Sequence, residues 1–243
     1  MSPRRAGRFW LLTAAALLVA AATAALGVWQ LGRAAQKEAL LAQREARIGL
    51  PALGWEELLA ARSVRRLAED YDRAVRLRGR WRHEATVFLD NRQLEGRAGF
   101  IVVTPFQPVG GTVLVAVQRG WVPRRFDDRS ALPSLLRAEG EVEIEGRMAP
   151  PPSKLYEFAG VERGAIRQNI DLESYAAEWQ LDLLPASLQQ TGPGASQDDL
   201  LRRWPVVGLD VHKHYGYAFQ WFGLCALVLG LYVWFQLLAP RRR

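Results

Sequence analysis

The sequence contains few of the residues that build metal and redox sites in proteins. Cys225 is the one cysteine among 243 residues, and the only histidines are His83, His212 and His214. A lone cysteine excludes an intramolecular disulfide and a copper or zinc site made of paired thiolates within one chain. His212 and His214 lie about 200° apart on a helix but on one side of an extended segment. Both histidines could therefore bind one metal ion only if the backbone of residues 212–214 is extended.

Charged residues are missing from two long runs near the ends of the chain, residues 9–31 and 215–240. Each run exceeds the ~20 residues that a helix needs to cross the hydrocarbon core of a bilayer. The first run is also longer than the ~7–15-residue apolar core of a signal peptide, which favours a retained anchor over cleavage near residues 21–25. The sequence therefore predicts transmembrane helices over residues 9–31 and 214–238.

The excess of positive charge lies largely at the two ends of the chain. The formal net charge is +7, and arginines precede the first apolar run and follow the second (Arg4, Arg5, Arg8, Arg241, Arg242 and Arg243). The positive-inside rule then makes residues 1–8 and 239–243 cytoplasmic tails and residues 32–213 a periplasmic domain. We expect a multi-pass protein of the bacterial inner (plasma) membrane, with the lipid bilayer as a partner. No nucleic-acid-binding module is recognisable, so no nucleic acid partner is expected.

The middle of the chain changes from a helical to a strand-like pattern. Residues 34–73 are rich in helix formers and are interrupted near Pro51, whereas apolar and polar residues alternate from residue 74 onwards. Short connections between these strands favour antiparallel pairing. The predicted fold is a membrane protein whose two transmembrane helices flank a β-rich α+β extracytoplasmic domain, with an antiparallel sheet or a small barrel. Predicted strands cover residues 74–81, 86–92, 99–106, 112–119, 141–148 and 183–189, and the predicted core includes Val102, Phe106, Leu114, Val115 and Trp121.

A cluster of aromatic residues opens the second apolar run. His214, Tyr217, Trp221 and Cys225 fall within an arc of about 80° on a helix. Belts of Tyr and Trp mark any membrane interface, so a simple interfacial anchor is one explanation of this stripe. The spacing His-x-x-Tyr-Ala-x-x-Trp-Phe over residues 214–222 also resembles the signature of the surfeit locus protein one family.

Further blocks of the sequence resemble the same family, in order along the chain. Gly-x-Trp-Gln-x-x-Arg at residues 27–33, followed by Lys37, is similar to its N-terminal mark. Asp90-Asn-Arg92, Gly99, Thr-Pro-Phe at 104–106 and Arg-Gly-Trp-Val-Pro at 119–123 are similar to its central block. The blocks extend from residue 27 to residue 222 and so cover nearly the whole chain.

The resemblance implies an assembly factor for haem-copper cytochrome c oxidase, and not an enzyme. Members of the family assist assembly of these oxidases, and the expected activity is to bind haem a transiently and assist its delivery to the large catalytic subunit. Haem a synthase and that subunit are the implied partners, and the oligomeric state stays open. Two alternatives are a haem-free structural clamp on an oxidase assembly intermediate and a haem-modifying enzyme at the periplasmic face.

The predicted haem site combines both motifs at the outer membrane surface. His214 is the expected axial ligand of the haem iron, because a neutral imidazole is a good iron ligand. The other predicted binding residues are Tyr217 and Trp221, which could pack on the macrocycle, Arg33 and Lys37, which could pair with the propionates, and Trp29. The geometry requires the two helices to pack together. The family commonly carries Asn before the signature His and Leu after it, whereas this sequence has Lys213 and Tyr215 at those positions. It also has a second histidine just upstream, so His212 remains an alternative ligand.

No arrangement of residues in the middle domain plainly supplies a catalytic site. The sequence has no Gly-x-Ser-x-Gly elbow and no phosphate-binding glycine loop. Asp90, Arg92 and Arg119 are the candidates for acid–base chemistry, but structural pairing across adjacent strands explains them at least as well.

Overall fold

The computed structural model describes residues 3–125, 132–133, 135, 137–156, 164–192, 198–204 and 210–239. The chain divides into two compact units. One consists of Met1–Gln43 together with Val206–Arg243, and the other of Arg44–Pro205. The first unit is a pair of long helices and the second is a β-rich domain.

The described elements follow one another in the order expected from the sequence. The helices are α1 (Pro3–Ile48), α2 (Trp55–Ala60), α3 (Val64–Glu69), α4 (Leu172–Trp179) and α5 (Val211–Tyr232). The strands are β1 (Ala74–Trp81), β2 (Val87–Leu94), β3 (Arg97–Pro108), β4 (Leu114–Pro123), β5 (Val142–Ala149), β6 (Ile166–Arg167) and β7 (Leu183–Gln190). A 3-10 turn at His83–Ala85 precedes β2, and a π-helical turn at Val233–Leu238 continues α5. Each of the six predicted strands overlaps an observed one.

The strands form a closed ring with two strands added at one side. The sheet order is β1-β5-β7-β4-β3-β2-β6, and β1 also pairs with β3. That additional pairing joins Trp81 to Phe106 and Gly79 to Pro108. Five strands (β1, β5, β7, β4 and β3) therefore close on themselves, which confirms the predicted small barrel.

The prediction of a wholly antiparallel sheet is wrong for two pairs of strands. β4 runs parallel to β7, and β2 runs parallel to β6. Parallel neighbours need a long crossover connection, whereas a hairpin turn produces antiparallel ones. The chain between β5 and β7 is long and carries α4, so β6 and β7 are not restricted to hairpin geometry.

The buried core fills the ring and covers part of its outside. All five strands of the ring contribute apolar side chains to the largest buried cluster, and Leu58 of α2 and Leu67 of α3 join it. A second cluster packs Leu172 and Tyr175 of α4 against β2 and β3. β4 is buried on both faces for this reason. Every predicted core residue is buried, which confirms that part of the prediction (Val102, Phe106, Leu114, Val115 and Trp121).

Both long helices are apolar and long enough to cross a membrane. α1 contains the predicted span 9–31 and continues to Ile48, where Gly49 and Pro51 follow. α1 and α5 run antiparallel, because Thr13 near one end contacts Tyr232 (2.8 Å) and Gln30 further along contacts His214 (2.7 Å). We call α1 with α5 the helix pair.

The helices of the pair meet along a seam with a repeat of about 3.5 residues, which is typical of left-handed helix packing. On α1 the seam is made mainly of small residues, which let two backbones approach closely. The buried or half-buried seam residues are Thr13, Ala20, Thr23, Gly27, Gln30 and Ala34 on α1, and Val211, His214, Ala218, Trp221 and Cys225 on α5.

Candidate functional site

The two motifs from opposite ends of the chain meet in one hydrogen bond between the helices of the pair. His214 Nδ1 lies 2.7 Å from Gln30 Oε1. An amide oxygen can only accept, so Nδ1 carries the proton and Nε2 keeps its lone pair. Within the described part of the chain, Nε2 makes no hydrogen bond. The imidazole is therefore held at Nδ1, and the lone pair of Nε2 is not used by a described residue.

Burial makes this polar contact important for the helix pair. Gln30 is only 9% exposed although it lies within the long apolar run of α1. A buried amide without a partner costs about 1–3 kcal/mol, and the bond to His214 offsets that cost. The same bond fixes which turn of α5 faces which turn of α1.

Two contacts define one flank of the seam. A methyl group built on Gly27 would lie 2.7 Å from Phe222 Cζ, so the aromatic ring packs directly on the glycine backbone. Nearer the start of α5, Tyr215 Oη donates to Glu38 Oε1 at 2.8 Å. The side chain of Glu38 is thereby engaged on this flank.

The opposite flank, which we call the site flank, carries most of the predicted haem-binding residues. At 100° per residue, Lys37 lies about 50° and Arg33 about 90° from the centre of the seam on α1, on the side away from the two contacts above. On α5, Trp221 lies about 35° and Tyr217 about 75° from the centre, also on that side. His214 lies at the seam itself. The five predicted residues therefore lie at the seam or on one flank of it, spread along several turns of the two helices.

Trp29 and His212 are not part of the site flank. Trp29 lies about 130° from the centre of the seam on α1, and its side chain is 56% exposed. His212 is exposed and is turned away from His214 by the helical spacing. Of the two histidines, His214 lies at the seam beside the site flank and His212 does not.

Charged groups surround the start of α5. Lys213 Nζ lies 2.8 Å from Asp210 Oδ2. The hydrogen bond from Lys213 holds the pKa of Asp210 below its usual range, and the charges of His212 and Lys37 act in the same direction. Arg33 is exposed and donates to Gln36 of its own helix at 3.0 Å. Arg33, which is exposed, and Lys37, which is half-buried, are thus cations near the start of α5.

The sequence analysis did not identify the contacts that Gln30 and Glu38 make between the two helices. A signal for Gln30 exists in the sequence, because a polar amide within an apolar helix is costly unless it has a partner. The partner itself could not be identified, since it depends on which faces of two distant helices meet. Glu38 carries no comparable signal, because it lies among other charged residues beyond the apolar run.

A haem group fits the donor chemistry of His214 better than a bare metal ion does. Among the residues that the structure describes, no three His, Cys, Asp or Glu side chains are grouped to hold a metal ion. The porphyrin supplies four nitrogen ligands to haem iron, so a single axial histidine suffices on the protein side. His214 meets that requirement through Nε2.

The candidate acid–base residues of the β-rich domain hold structural contacts instead. Asp90 pairs with Arg124 (3.2 Å), and Arg92 donates to the backbone carbonyl groups of Ser153 and Gln168, each at 2.8 Å. Burial lowers the pKa of Arg92. The contacts of Arg92 attach loops to β2. The sequence analysis considered pairing between adjacent strands, and these contacts are not of that kind.

Arg119 lies at a separate buried position. Its guanidinium carbon is 4.7 Å from the centroid of the Trp81 ring, and its Nη2 is 3.7 Å from Asp198 Oδ2. Burial lowers the pKa of Arg119, and the negative charge of Asp198 opposes that effect. Asp198 also binds Arg202 through both carboxylate oxygens, at 2.7 and 2.6 Å. The three residues attach the segment before α5 to β4.

Comparison with known proteins agrees with the motifs that meet in the helix pair. The model of the SURF1 family matches residues 17–226. A SURF1-like protein of Rickettsia felis is 25% identical over 213 residues, covering 86% of this chain and 89% of that protein. Surfeit locus protein 1 of Mus musculus is 28% identical over 238 residues, covering 90% and 73%. The corresponding protein of Xenopus tropicalis is 26% identical over 253 residues, covering 93% and 74%.

The family match includes both Gln30 and His214 and the whole ring of strands. It covers most of the chain, and the relatives align with most of their own length. The chain therefore belongs to the SURF1 family.

Proposed function

We propose that this protein is an assembly factor for haem-copper cytochrome c oxidase that binds haem a at the site flank and assists its delivery to the large catalytic subunit. The observation that carries the proposal is the hydrogen bond between Gln30 and His214. It joins the two terminal motifs that the sequence shares with the family, and it leaves one imidazole nitrogen available to iron.

The proposed setting is the bacterial inner membrane, with α1 and α5 as its two spans. Their length and apolar composition support this setting, as do the large apolar side chains that they expose, among them Leu18, Leu227 and Leu231. The arginines at both ends of the chain support cytoplasmic termini and a periplasmic β-rich domain. The outer turns of the helix pair then lie at the periplasmic membrane surface, and Trp29 acts as an interfacial anchor.

In the proposed site, His214 is the axial ligand and the residues around it accommodate the macrocycle. A porphyrin needs an apolar environment for its ring and a polar rim for its charged propionates. Tyr217 and Trp221 offer aromatic surface beside His214, and Arg33 and Lys37 offer cations one to two turns along α1 from Gln30. The site flank thus combines both environments within a few turns of two helices.

The role of the site is to hold cargo and not to transform it. Among the described residues, the neighbour of His214 Nδ1 is the neutral amide of Gln30, which is neither a nucleophile nor a base. Haem a synthase is the proposed donor of haem a, and the oxidase large subunit is the proposed recipient. A haem-free clamp and a haem-modifying enzyme are the competing functions.

The test is the absorption spectrum of the full-length protein purified from cells that make haem a. We expect stoichiometric haem without turnover of the haem in the wild-type protein. Turnover would support the enzyme, and the absence of both haem and turnover would support the clamp.

Two matched histidine variants test the ligand. His214→Ala should lose the haem spectrum while protein level and membrane insertion stay as in the wild type. His212→Ala removes an exposed imidazole two residues away, and it should keep the spectrum. Haem retained by the His214 variant, or lost from the His212 variant alone, would contradict the assignment.

A further inference from the structure

We propose that Gln30 is a positioning residue that fixes His214 in the Nδ1–H tautomer and so presents Nε2 to the haem iron. The inference rests on the proposed haem site and assigns a role to a residue outside it. Gln30 belongs to α1, whereas the ligand belongs to α5. One helix therefore controls the proton on the imidazole of the other.

The geometry of the bond determines the tautomer. Gln30 Oε1 lies 2.7 Å from His214 Nδ1. An amide oxygen has lone pairs and no proton, so it selects the imidazole form that carries its hydrogen on Nδ1. Iron binds a nitrogen through its lone pair. In the other tautomer Nε2 carries the hydrogen and cannot bind iron until that proton moves.

Packing holds the amide in place. Gln30 is 9% exposed and lies on the seam between Gly27 and Ala34, both of which are buried. The small neighbours leave the glutamine as the one long side chain on that part of the α1 seam. The imidazole ring is thereby held in orientation as well as in protonation state. Partners of this kind on a metal-binding histidine typically contribute 10- to 100-fold to metal affinity.

The nearest carboxylate on α1 does not compete for this role. Glu38 accepts the hydrogen bond of Tyr215 on the flank opposite the site. A neutral acceptor is also better suited than a carboxylate to the edge of a bilayer, where an ionised side chain is expensive to bury. An amide therefore supplies the necessary acceptor without a buried charge.

The experiment compares three variants of the full chain in detergent. Gln30→Met keeps the length of the side chain and removes the acceptor, whereas Gln30→Glu keeps an acceptor. Thr23→Val is the matched control. Thr23 lies on the same seam with 8% exposure, and among the described residues its hydroxyl bonds only to the backbone carbonyls of Val19 and Ala20 on its own helix. The 15N shifts of the His214 ring are measured on haem-free protein at pH 8. The affinity for haem a is then measured by titrating the protein with haem a. The reduction potential of the bound haem is measured by redox titration.

We expect the wild type and the Thr23 variant to show the Nδ1–H tautomer and equal affinity for ferric haem a. Gln30→Met should lose that tautomer preference and bind about 10- to 100-fold more weakly. Gln30→Glu, which keeps an acceptor, should bind haem a as tightly as the wild type does. It should also lower the reduction potential, because a carboxylate at Nδ1 makes the imidazole a stronger donor to ferric iron.

The outcomes separate this inference from the proposed function. A wild-type protein that binds no haem a contradicts the proposed function, and with it the role of Gln30 towards iron. A wild type that binds haem a while Gln30→Met binds equally well contradicts this inference alone. An Nε2–H tautomer in the wild type, or an equal loss in Thr23→Val, would also overturn it.

Discussion

The indole Nε1 of Trp121 donates a hydrogen bond to the backbone carbonyl of Arg92, 2.8 Å away. Trp121 belongs to β4 and Arg92 to β2, and β3 lies between them in the sheet. The ring crosses β3 at Gly99, where a methyl group would come within 2.4 Å of Trp121 Cζ2. One side chain thus ties three strands together, and it requires a glycine beneath it.

Replacing Trp121 by Ala should destabilise the β-rich domain by about 3–5 kcal/mol, because the 4% exposed ring would leave a cavity. Trp121→Phe should cost less, since it keeps much of the packing and loses the hydrogen bond to Arg92. Thermal unfolding of the full chain in detergent measures both. Trp179→Ala is the control at a more exposed tryptophan (37%). Equal unfolding temperatures for Trp121→Ala and the wild type would contradict the role of the ring.

Replacing Asp198 by Asn should destabilise the same domain by about 3–5 kcal/mol, because it leaves the buried guanidinium groups of Arg119 and Arg202 without the charge between them. The Asp198 side chain is only 4% exposed. Asp182→Asn is a matched control, since Asp182 pairs with Arg62 at the surface with 49% exposure. That change should cost about 0–1 kcal/mol. Similar unfolding midpoints in urea for the two variants would show that burial does not strengthen the Asp198 contacts.

Replacing Gly27 by Leu should separate the helices of the pair, because the added side chain occupies the space of the Phe222 ring. Gly32→Leu is the control on the same helix, where an added methyl group would have no atom within 4 Å. The readout is thiol cross-linking between Cys225 and an Ala20→Cys substitution, since Cys225 Sγ lies 3.4 Å from the Ala20 carbonyl oxygen. Gly27→Leu should lower the yield, and adding Phe222→Ala should restore it. An unchanged yield in Gly27→Leu would mean that the ring moves aside at little cost.

Reporter fusions should give opposite results at two positions if both termini are cytoplasmic. Alkaline phosphatase, which is active only outside the cytoplasm, should be inactive at the C-terminus. The same reporter should be active in the turn at residues 95–96, between β2 and β3. An active C-terminal fusion would refute the orientation.

Deleting the gene should lower assembled cytochrome c oxidase without abolishing haem a synthesis, as an assembly factor requires. Pigment extraction measures total haem a, and the spectrum of solubilised membranes measures the assembled oxidase. Expression of the wild-type protein from a plasmid is the control. Loss of haem a itself in the deletion strain would favour the enzyme.

The strands could be predicted from the sequence because each has one face in the ring. β1 alternates Val75 and Leu77 with arginines, and this period of two is visible without any partner. The parallel pairing of β4 with β7 could not be predicted, because it depends on where a long connection returns. For the same strands the sequence allowed either an antiparallel sheet or a small barrel, and only the barrel requires β1 to pair with β3.

The residues of the proposed haem site could be grouped from the sequence to the extent that they share one helix. That His214, Tyr217 and Trp221 lie on one stripe follows from helical spacing. The role of Gln30 required knowledge of how α1 faces α5. Trp29 was included because it belongs to the same sequence motif as Arg33, but in the structure Lys37 lies near the partner helix while Trp29 lies far from it.

The closed ring of strands cannot be completed until a late part of the chain has been synthesised. β7 pairs with both β4 and β5, yet it is the last of the described strands to be synthesised. The interval from Ala149 to Leu183 takes roughly two to seven seconds at a synthesis rate of about 5–20 residues per second. During that time β4 and β5 each have an open edge that another chain could pair with. A chain that stops before residue 183 would keep those edges open permanently, and aggregation or proteolysis would be its fate.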